Sequence, residues 1–542
     1  MANQQSQIPN LKSKIFLYGP PGSGKSTLGR QLAEALKLPF FDLDERIQSR
    51  AGKSIPDIFA QHGEAGFRRL EKDEVSSILE QEWGVIALGG GALLDAEIRE
   101  QVSSAGPILC LTAPFEMLLA RLEASSEVRP LLADEVQDGI AARLKRLLAG
   151  RAEHYQSFAL QLDTSTEGPR DLVWEAQVKL GAFHVSGMGN PAHGDPSDPR
   201  SQGYDVRVQR RSLEGLGEAM RQRALQGPIA LVSDENVAGL HLHKPLRSLQ
   251  EAGFAVQPIV VPPGEGSKDI STLTFLWEAF VELGLERGST VIALGGGVVG
   301  DLAGFAAATY KRGVPWLAVP TTLLATVDAS LGGKTAIDLL KGKNLVGAFH
   351  APRIVLSDPL TLRTLPAEEL RAGMAEVVKA SIIGDPSLFT LCAQGWEEVQ
   401  ANLDPIVRRS IAVKIKVIEA DPFERGERAA LNLGHTIGHA VELVSDFGLK
   451  HGEAIAIGMV AEARLAEVIG LTEKGLAEQV EGVLHSLGLP TRIPENLDKH
   501  AIREAIYRDK KLAGGKVRFA LPAKIGTVKV GVVIEEATWS QL

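Results

Sequence analysis

The stretch Lys14-Ile-Phe-Leu-Tyr-Gly-Pro-Pro-Gly-Ser-Gly-Lys-Ser-Thr27 decides the fold of the first part of the chain. Residues 14–18 form a short, mostly apolar run, as expected of a strand covered on both faces. Gly19–Ser26 then fit the phosphate-binding pattern G-x4-G-K-[ST] in full. Glycines let backbone N–H groups wrap phosphate oxygens, Lys25 adds a point charge, and the Ser26 hydroxyl can reach a Mg2+ ion. From Ser26 to Leu36 apolar residues recur with helical period. Strand, glycine loop and helix come in the order that the pattern requires, so a nucleotide-binding α/β unit is expected here.

Working outward, Leu38–Phe41, Gly84–Leu88 and Pro107–Thr112 read as further strands between helical stretches. Such alternation predicts a parallel sheet flanked by helices. The pattern fades near Leu180. Residues 187–203 are Gly, Pro, Ser, Asp and Asn with almost nothing apolar, and cannot bury enough surface to offset their ordering entropy. They read as a tether with an end-to-end distance on the order of 20–25 Å. Strand-like runs return at Pro228–Val232, Ala255–Val261, Thr290–Leu294 and Trp316–Val319. From about Pro366 the pattern is helical, until Val517–Leu521 and Thr527–Val533. The expected domains are a P-loop unit over 12–182, a linker over 183–203, an α/β nucleotide-binding domain over 204–360 and a mainly helical domain over 361–542.

A chain of 542 residues is too long for one core, and its 44% hydrophobic and 23% charged content is that of a soluble globular protein. A net charge of -9 shows no nucleic-acid footprint and no basic membrane patch. Cys110 and Cys392 cannot build a disulfide framework, which fits a reducing compartment. The first ten residues lack an apolar signal core, and no apolar run approaches a membrane span. A cytoplasmic enzyme is expected.

The second chemical centre is Leu431-Asn-Leu-Gly-His-Thr-Ile-Gly-His-Ala-Val-Glu442 with His451-Gly-Glu-Ala454. His435 and His439 stand four apart and would share a helix face. His451 follows after a loop. Two histidines and a carboxylate would suit a catalytic zinc with one open position. The same spacing also fits three histidines satisfied by hydrogen bonds or solvent.

The ordered set Phe41-Asp-Leu-Asp44, Gly63-Glu-Ala-Gly-Phe-Arg-Arg-Leu-Glu71, Leu88-Gly-Gly-Gly-Ala92, Val128-Arg-Pro-Leu-Leu132 and Gly150-Arg-Ala-Glu-His-Tyr155, behind the phosphate loop, resembles shikimate kinase across residues 12–180. The resemblance implies ATP held by Gly22, Ser23, Gly24, Lys25, Ser26 and Thr27, with Arg129 covering it from a lid. It implies Mg2+ near Ser26 and Asp42. Asp44 would bind the shikimate hydroxyls and take or steer a proton. Arg68 and Arg151 would hold the carboxylate, and Gly89, Gly90 and Gly91 would close on the ring. A small anionic polyol calls for such bidentate arginines and a carboxylate beside the attacked hydroxyl. A non-enzymatic ATP sensor would have no need of that pocket.

Asp234-Glu-Asn236, Pro263-Gly-Glu-Gly-Ser-Lys268, Ala293-Leu-Gly-Gly-Gly-Val-Val-Gly-Asp301, the segments Pro320–Thr335 and Lys341–Gly347, Ala372–Lys379 and the histidine stretch occur in an order that resembles 3-dehydroquinate synthase over residues 204–540. The resemblance implies Glu376, His435 and His451 as ligands of Zn2+ or Co2+. It implies NAD against Asp234, Asn236, Glu265, Lys268, Gly296, Gly297, Val298, Asp301, Thr321, Thr322, Thr364 and Leu365, with Asp328 and Lys343 at a shared edge. Substrate phosphate and hydroxyls would meet Arg312, Asp328, Lys334, Asn344, Lys379, Lys414, Arg428, Asn432, His439 and Lys510. Of these, Lys334, Lys379, Lys414, Arg428 and His439 would act in catalysis. The implied reaction takes 3-deoxy-arabino-heptulosonate 7-phosphate through alcohol oxidation, phosphate elimination, hydride return and an intramolecular aldol closure, regenerating NAD. Ala329 and Ala380-Ser381 depart from the family's usual residues. A homodimer through this half is also implied. A metal-dependent polyol dehydrogenase is the competing reading, and its simple alcohol substrate would leave the lysine and arginine set without a phosphate. A sister cyclase for another heptulose phosphate shares the chemistry.

Overall fold

The computed structural model describes residues 14–539 apart from 82, 126–138, 166–167, 187–202, 423, 425, 447 and 513–516. The chain divides into two compact units. One holds the residues up to His184 with Glu218–Gln222, the other Val185–Gly217 with Arg223–Leu542.

In the first unit the strands Lys14–Tyr18 (β1), Phe40–Asp42 (β2), Gly84–Ala87 (β3), Ile108–Thr112 (β4) and Leu160–Asp163 (β5) form one sheet in the order β2-β3-β1-β4-β5. Every pairing is parallel. The two-residue period of β1 explains why both faces are apolar. Ile15 and Leu17 pack with Leu28, Leu32 and Leu36 of the helix Lys25–Leu36, while Phe16 and Tyr18 pack on the other side with Leu43, Ile86 and Tyr155. The expected strand at Leu38–Phe41 starts two residues later. Pro39 cannot donate to a ladder, and its carbonyl instead accepts from Val85 N at 2.9 Å. β5 had no signal in the sequence, because Leu-Gln-Leu-Asp is too short to display a period.

A seven-stranded sheet belongs to the second unit, apart from the first three residues of its edge strand. Its strands are Ala182–Ser186 (β6), Gly203–Val208 (β7), Gln226–Asp234 (β8), Val256–Val261 (β9), Ser289–Gly295 (β10), Trp316–Pro320 (β11) and, further on, Ile354–Ser357. Between these last two the chain makes an antiparallel hairpin of Lys334–Leu339 (β12) and Gly342–Phe349 (β13), so Ile354–Ser357 is β14. The sheet order is β6-β7-β14-β11-β10-β8-β9, and the pairings from β7 to β9 are parallel. Residues 183–186, expected as the start of the linker, are thus strand. The alternation His184-Val185 continues an apolar run from Leu180, which the polar segment after it obscured. Residues 187–202 lie outside the described part.

β8 sends the chain to β9 on one side and to β10 on the other. The crevice at the carboxyl ends of β8 and β10 is therefore the switch point at which such sheets bind ligands. Beyond Pro366 come the helices Ala367–Gly384, Leu403–Ala420, His435–Val444, His451–Val468, Leu476–Ser486 and Lys499–Leu512, with a terminal hairpin of Arg518–Lys524 (β15) and Thr527–Val533 (β16). The α/β-then-helical order expected from the sequence is what the chain adopts. Among the described residues, no helix is long and apolar enough to cross a membrane.

Two candidate active sites

In the first unit the loop after β1 turns back on itself through Gly19, Gly22 and Gly24, with φ of 139°, 79° and 88°. Only glycine adopts these values without strain. A Cβ at Gly19 would stand 2.3 Å from the Leu111 carbonyl oxygen, so the loop runs directly against β4. Lys25 Nζ donates to the Gly19 and Pro20 carbonyls at 3.0 and 3.1 Å and lies across the loop. Ser26 Oγ donates to Asp42 Oδ2 at 2.5 Å. Asp42 also caps the helix Leu43–Ala51, accepting from Asp44 N at 3.0 Å. Ser26 and Asp42, both expected at Mg2+, are therefore in contact.

Asp44, Arg68 and Arg151 converge on Gly89–Gly91. A Cβ at Gly89 would be 3.4 Å from Asp44 Oδ1, and one at Gly91 would be 2.5 Å from Arg68 Nη2. Arg151 Nη1 donates to the Gly90 carbonyl at 3.0 Å, joined by the hydroxyls of Tyr155 at 2.9 Å and Tyr18 at 3.2 Å. Gly90 in turn abuts the phosphate loop, since its Cβ would lie 3.2 Å from the Gly19 carbonyl oxygen. Glu71, given no role by sequence, accepts from Arg68 Nη1 at 2.5 Å. Burial pushes its carboxyl up, and Asp44 adds to this, with Arg68 opposing. The spacing Arg68 to Glu71, three apart on a helix, was the available signal. Arg129 lies outside the described residues, and Thr27 is exposed.

In the second unit Gly296 caps the helix Gly297–Thr309 at the end of β10. Its N-terminal N–H groups and partial positive charge face the crevice, as a pyrophosphate requires. Thr322 and Ala329 close the approach, at 3.2 and 3.5 Å from Cβ positions built on Gly296 and Gly297. Thr321 is buried with its Oγ1 unpartnered among the described residues, and Val298 is half-buried. At the end of β8, Asp234 accepts from Val237 N at 3.0 Å, leaving Asn236 exposed. Thr364 Oγ1 lies 2.8 Å from His241 Nε2, next to Leu365. Lys268 is buried and joins several expected residues. Its Nζ donates to Asp301 Oδ2 at 2.6 Å, touches Asn344 Oδ1, and stands 3.8 Å from Glu265.

Glu376 is the centre of the metal candidate. It is 2% exposed, and Lys379 Nζ is in ionic contact with its Oε2. His435 Nε2 and His451 Nε2 both stand 3.7 Å from the same Glu376 oxygen. His435 Nδ1 is hydrogen-bonded to the Leu433 carbonyl at 3.1 Å and His451 Nδ1 to Glu442 Oε2 at 3.0 Å. Each imidazole thus turns Nε2 toward Glu376. Burial pushes His435 down to about 3, with Lys379 adding to it. Burial also opposes the charged form of His451, but Glu376 and Glu442 outweigh it and raise it to about 9. His439 is exposed and also within reach, since the ligand atoms of His435, His439 and His451 lie within 4.8 Å of one another. Both triads are therefore geometrically open.

Beside this cluster, Lys414 Nζ donates to Asp328 Oδ1 at 2.5 Å and to its carbonyl at 2.6 Å. Asp328 sits on a π-turn, Ala325–Ala329, a form that often marks functional positions. Arg428 is buried against the Pro422 carbonyl at 2.6 Å, and Glu424 bridges Arg428 and Lys334. Glu424 and Glu442 were missed in sequence because their partners Lys334 and Lys343 are distant along the chain. Arg312 and Asn432 are exposed, and among the described residues no hydrogen bond or ion pair ties them to this group. Lys343 meets Glu442 Oε1 at 3.2 Å. Lys510 is in the helix Lys499–Leu512, and its side chain lies outside the described part.

The match to known proteins follows these divisions. Residues 258–372 match the family description "3-dehydroquinate synthase N-terminal" and residues 373–512 "3-dehydroquinate synthase C-terminal". The 3-dehydroquinate synthase of Nostoc punctiforme is 44% identical over 336 residues, 61% of this chain and 93% of that protein. The chain belongs to the 3-dehydroquinate synthase family. Residues 21–180 match "Shikimate kinase". One polypeptide thus joins two enzyme domains of the shikimate pathway. Among solved structures, a 2-deoxy-scyllo-inosose synthase complexed with carbaglucose-6-phosphate, NAD+ and Co2+ is 26% identical with a TM-score of 0.59, covering 66% of this chain and 98% of that one. A 2-epi-5-epi-valiolone synthase from Streptomyces hygroscopicus with NAD+ and Zn2+ bound is 28% identical with a TM-score of 0.57, covering 62% and 94%.

Proposed function

We propose that the second unit converts 3-deoxy-arabino-heptulosonate 7-phosphate to 3-dehydroquinate and phosphate at the Glu376 cluster, and that the first unit phosphorylates the 3-hydroxyl of shikimate with MgATP. The observation that carries the synthase assignment is one buried carboxylate facing two Nε2 atoms at 3.7 Å, with Lys379 and Lys414 buried close by. The sister-cyclase reading is weaker. The dehydroquinate synthase relative shares 44% identity, against 26% and 28% for the inosose and valiolone synthases.

The donor set fits a divalent metal. One buried Glu376 oxygen faces both Nε2 atoms, and both Nδ1 atoms are already engaged. Glu376, His435 and His451 would hold Zn2+ or Co2+, and the crevice after β10 would hold NAD. When bound, the metal would supply Lewis-acid polarisation and NAD a hydride acceptor and donor. The chain's own residues do the rest. Lys379, Lys414, Arg428 and Lys334 attract and orient the phosphate-bearing substrate, with Arg312, Asn344, Asn432 and Lys510 completing its contacts. Asp328 holds Lys414 in place. His439, at the exposed mouth, passes a proton on the phosphate side.

In the kinase unit, Lys25 and the loop N–H groups cradle ATP, with Arg129 over it. Ser26 and Asp42 hold Mg2+. Arg68 and Arg151 fix the shikimate carboxylate, leaving Asp44 beside the attacking hydroxyl. A cytoplasmic location and a homodimer through the synthase half belong to the same proposal.

The metal assignment is tested by zinc content and phosphate release together. His451→Ala should bind far less zinc than the unaltered protein. His439→Ala should keep its zinc and lose turnover. Equal zinc in both variants would contradict the ligand set.

A further inference from the structure

Glu442 has no place in the chemistry above, yet it is where two parts of the synthase site meet. It is 7% exposed and lies on the helix His435–Val444 that carries His435 and His439. Its two oxygens face different partners. Oε2 is 3.0 Å from His451 Nδ1, and Oε1 is 3.2 Å from Lys343 Nζ. His451 belongs to the proposed metal triad. Lys343 comes from β13, on the dinucleotide side of the unit. Resting on the function proposed above, we infer that Glu442 is a positioning residue that ties the metal ligand to the dinucleotide lysine, so that NAD and metal bind cooperatively.

The physical reasoning is short. A carboxylate that accepts from Nδ1 fixes the tautomer and ring angle of a ligating histidine, and losing such a partner commonly weakens metal binding 10- to 100-fold. The same carboxylate meets the Lys343 ammonium, at the end of a long side chain whose rotamers cost entropy to fix. Metal on His451 orders Glu442, and an ordered Glu442 presents Lys343. NAD, by engaging Lys343, returns the effect to His451. Such coupling is reciprocal, and typical values are 5- to 150-fold. His435 has no comparable link, since its Nδ1 is bound to a backbone carbonyl of its own turn.

The test measures zinc affinity of the full chain by competition with a chromogenic chelator, with and without saturating NAD. The unaltered protein should bind zinc at least about fivefold tighter with NAD present. Glu442→Ala should lose 10- to 100-fold in zinc affinity and show a ratio near one. Glu442→Gln guards against a folding failure. Its amide oxygen can still accept from Nδ1, but its NH2 cannot hold an ammonium. It should keep more zinc affinity than the alanine variant and still lose the NAD effect. Lys343→Met should lose the NAD effect while zinc affinity measured without NAD stays within a few-fold of the unaltered protein. Unchanged affinity and an unchanged NAD ratio in both Glu442 variants would overturn the inference alone. Failure of the unaltered protein to bind either zinc or NAD would overturn the functional reading and this inference with it.

Discussion

Glu462 is the most exposed prediction in energetic terms, because it is a carboxyl with 0% exposure inside the helix His451–Val468. It accepts from Gly434 N at 2.6 Å and from Ile437 N at 3.4 Å, at the N-terminus of the histidine helix. Burial nevertheless wins over those donors and raises its pKa from 4.5 to about 8. The folded state therefore holds this proton more tightly than the unfolded chain. The associated stability is complete below pH 4.5 and is lost as pH rises toward 8. One pKa unit is about 1.36 kcal/mol, so the rise from pH 5.5 to 7.5 should cost on the order of 2–3 kcal/mol. Glu462→Gln cannot ionise. It keeps an acceptor for Gly434 N–H but turns an NH2 toward the other donors, which costs about 1–3 kcal/mol at any pH. The unaltered protein should therefore be the more stable at pH 5.5, and the two should converge or cross by pH 7.5. At about 2 °C per kcal/mol for a domain of this size, the unaltered synthase unit should lose about 5 °C of Tm relative to the glutamine variant across that range. Near-UV circular dichroism during heating, with the shikimate kinase transition followed separately by activity, would show it. Parallel Tm profiles would mean that the helix N-terminus holds Glu462 ionised, and the reasoning would be wrong.

Other outcomes follow from close contacts and from the chain's division. Gly22→Ala puts a side chain at φ 79° and 2.9 Å from the Leu118 carbonyl oxygen, so shikimate phosphorylation should fall at least tenfold while dehydroquinate formation is unchanged in the same preparation. Gly458→Ala would place a Cβ 1.9 Å from the Gly434 carbonyl oxygen. The two helices that carry His435 and His451 would have to part, and zinc content should fall with synthase activity while the kinase survives. Proteolytic cutting within 187–202 should leave kcat/KM of both reactions within about twofold. A tenfold loss in either would be about 1.4 kcal/mol of coupling between the units and would require an interface.

The legible parts of this chain were those whose chemistry is local. The phosphate loop could be read because strand, glycines, lysine and helix follow one another without a break. The same holds for β10 and Gly295–Gly297, where a buried run meets a turn. Asp44, Arg68, Gly89–Gly91 and Arg151 were named from their order along the chain, and folding brings them to one place. What stayed hidden depends on long-range contact. β12 and β13 carry polar and exposed residues, so no two-residue period marks them as strands. β14 is four residues long. Glu424, Glu442 and Glu462 look like surface glutamates in sequence, and only packing shows one between two cations, one on His451 and one buried outright. Lys268, expected simply to touch NAD, proves to hold Asp301 and Asn344 together.

The central claim is that two complete active sites work independently in one polypeptide. Reciprocal inactivation tests it most directly, by assaying ATP-dependent phosphorylation of shikimate and phosphate release from 3-deoxy-arabino-heptulosonate 7-phosphate on the same samples. Lys25→Ala should abolish the first and leave the second at the unaltered rate, and Glu376→Ala should do the reverse. Loss of both activities in either folded variant, or retention of both, would contradict the account.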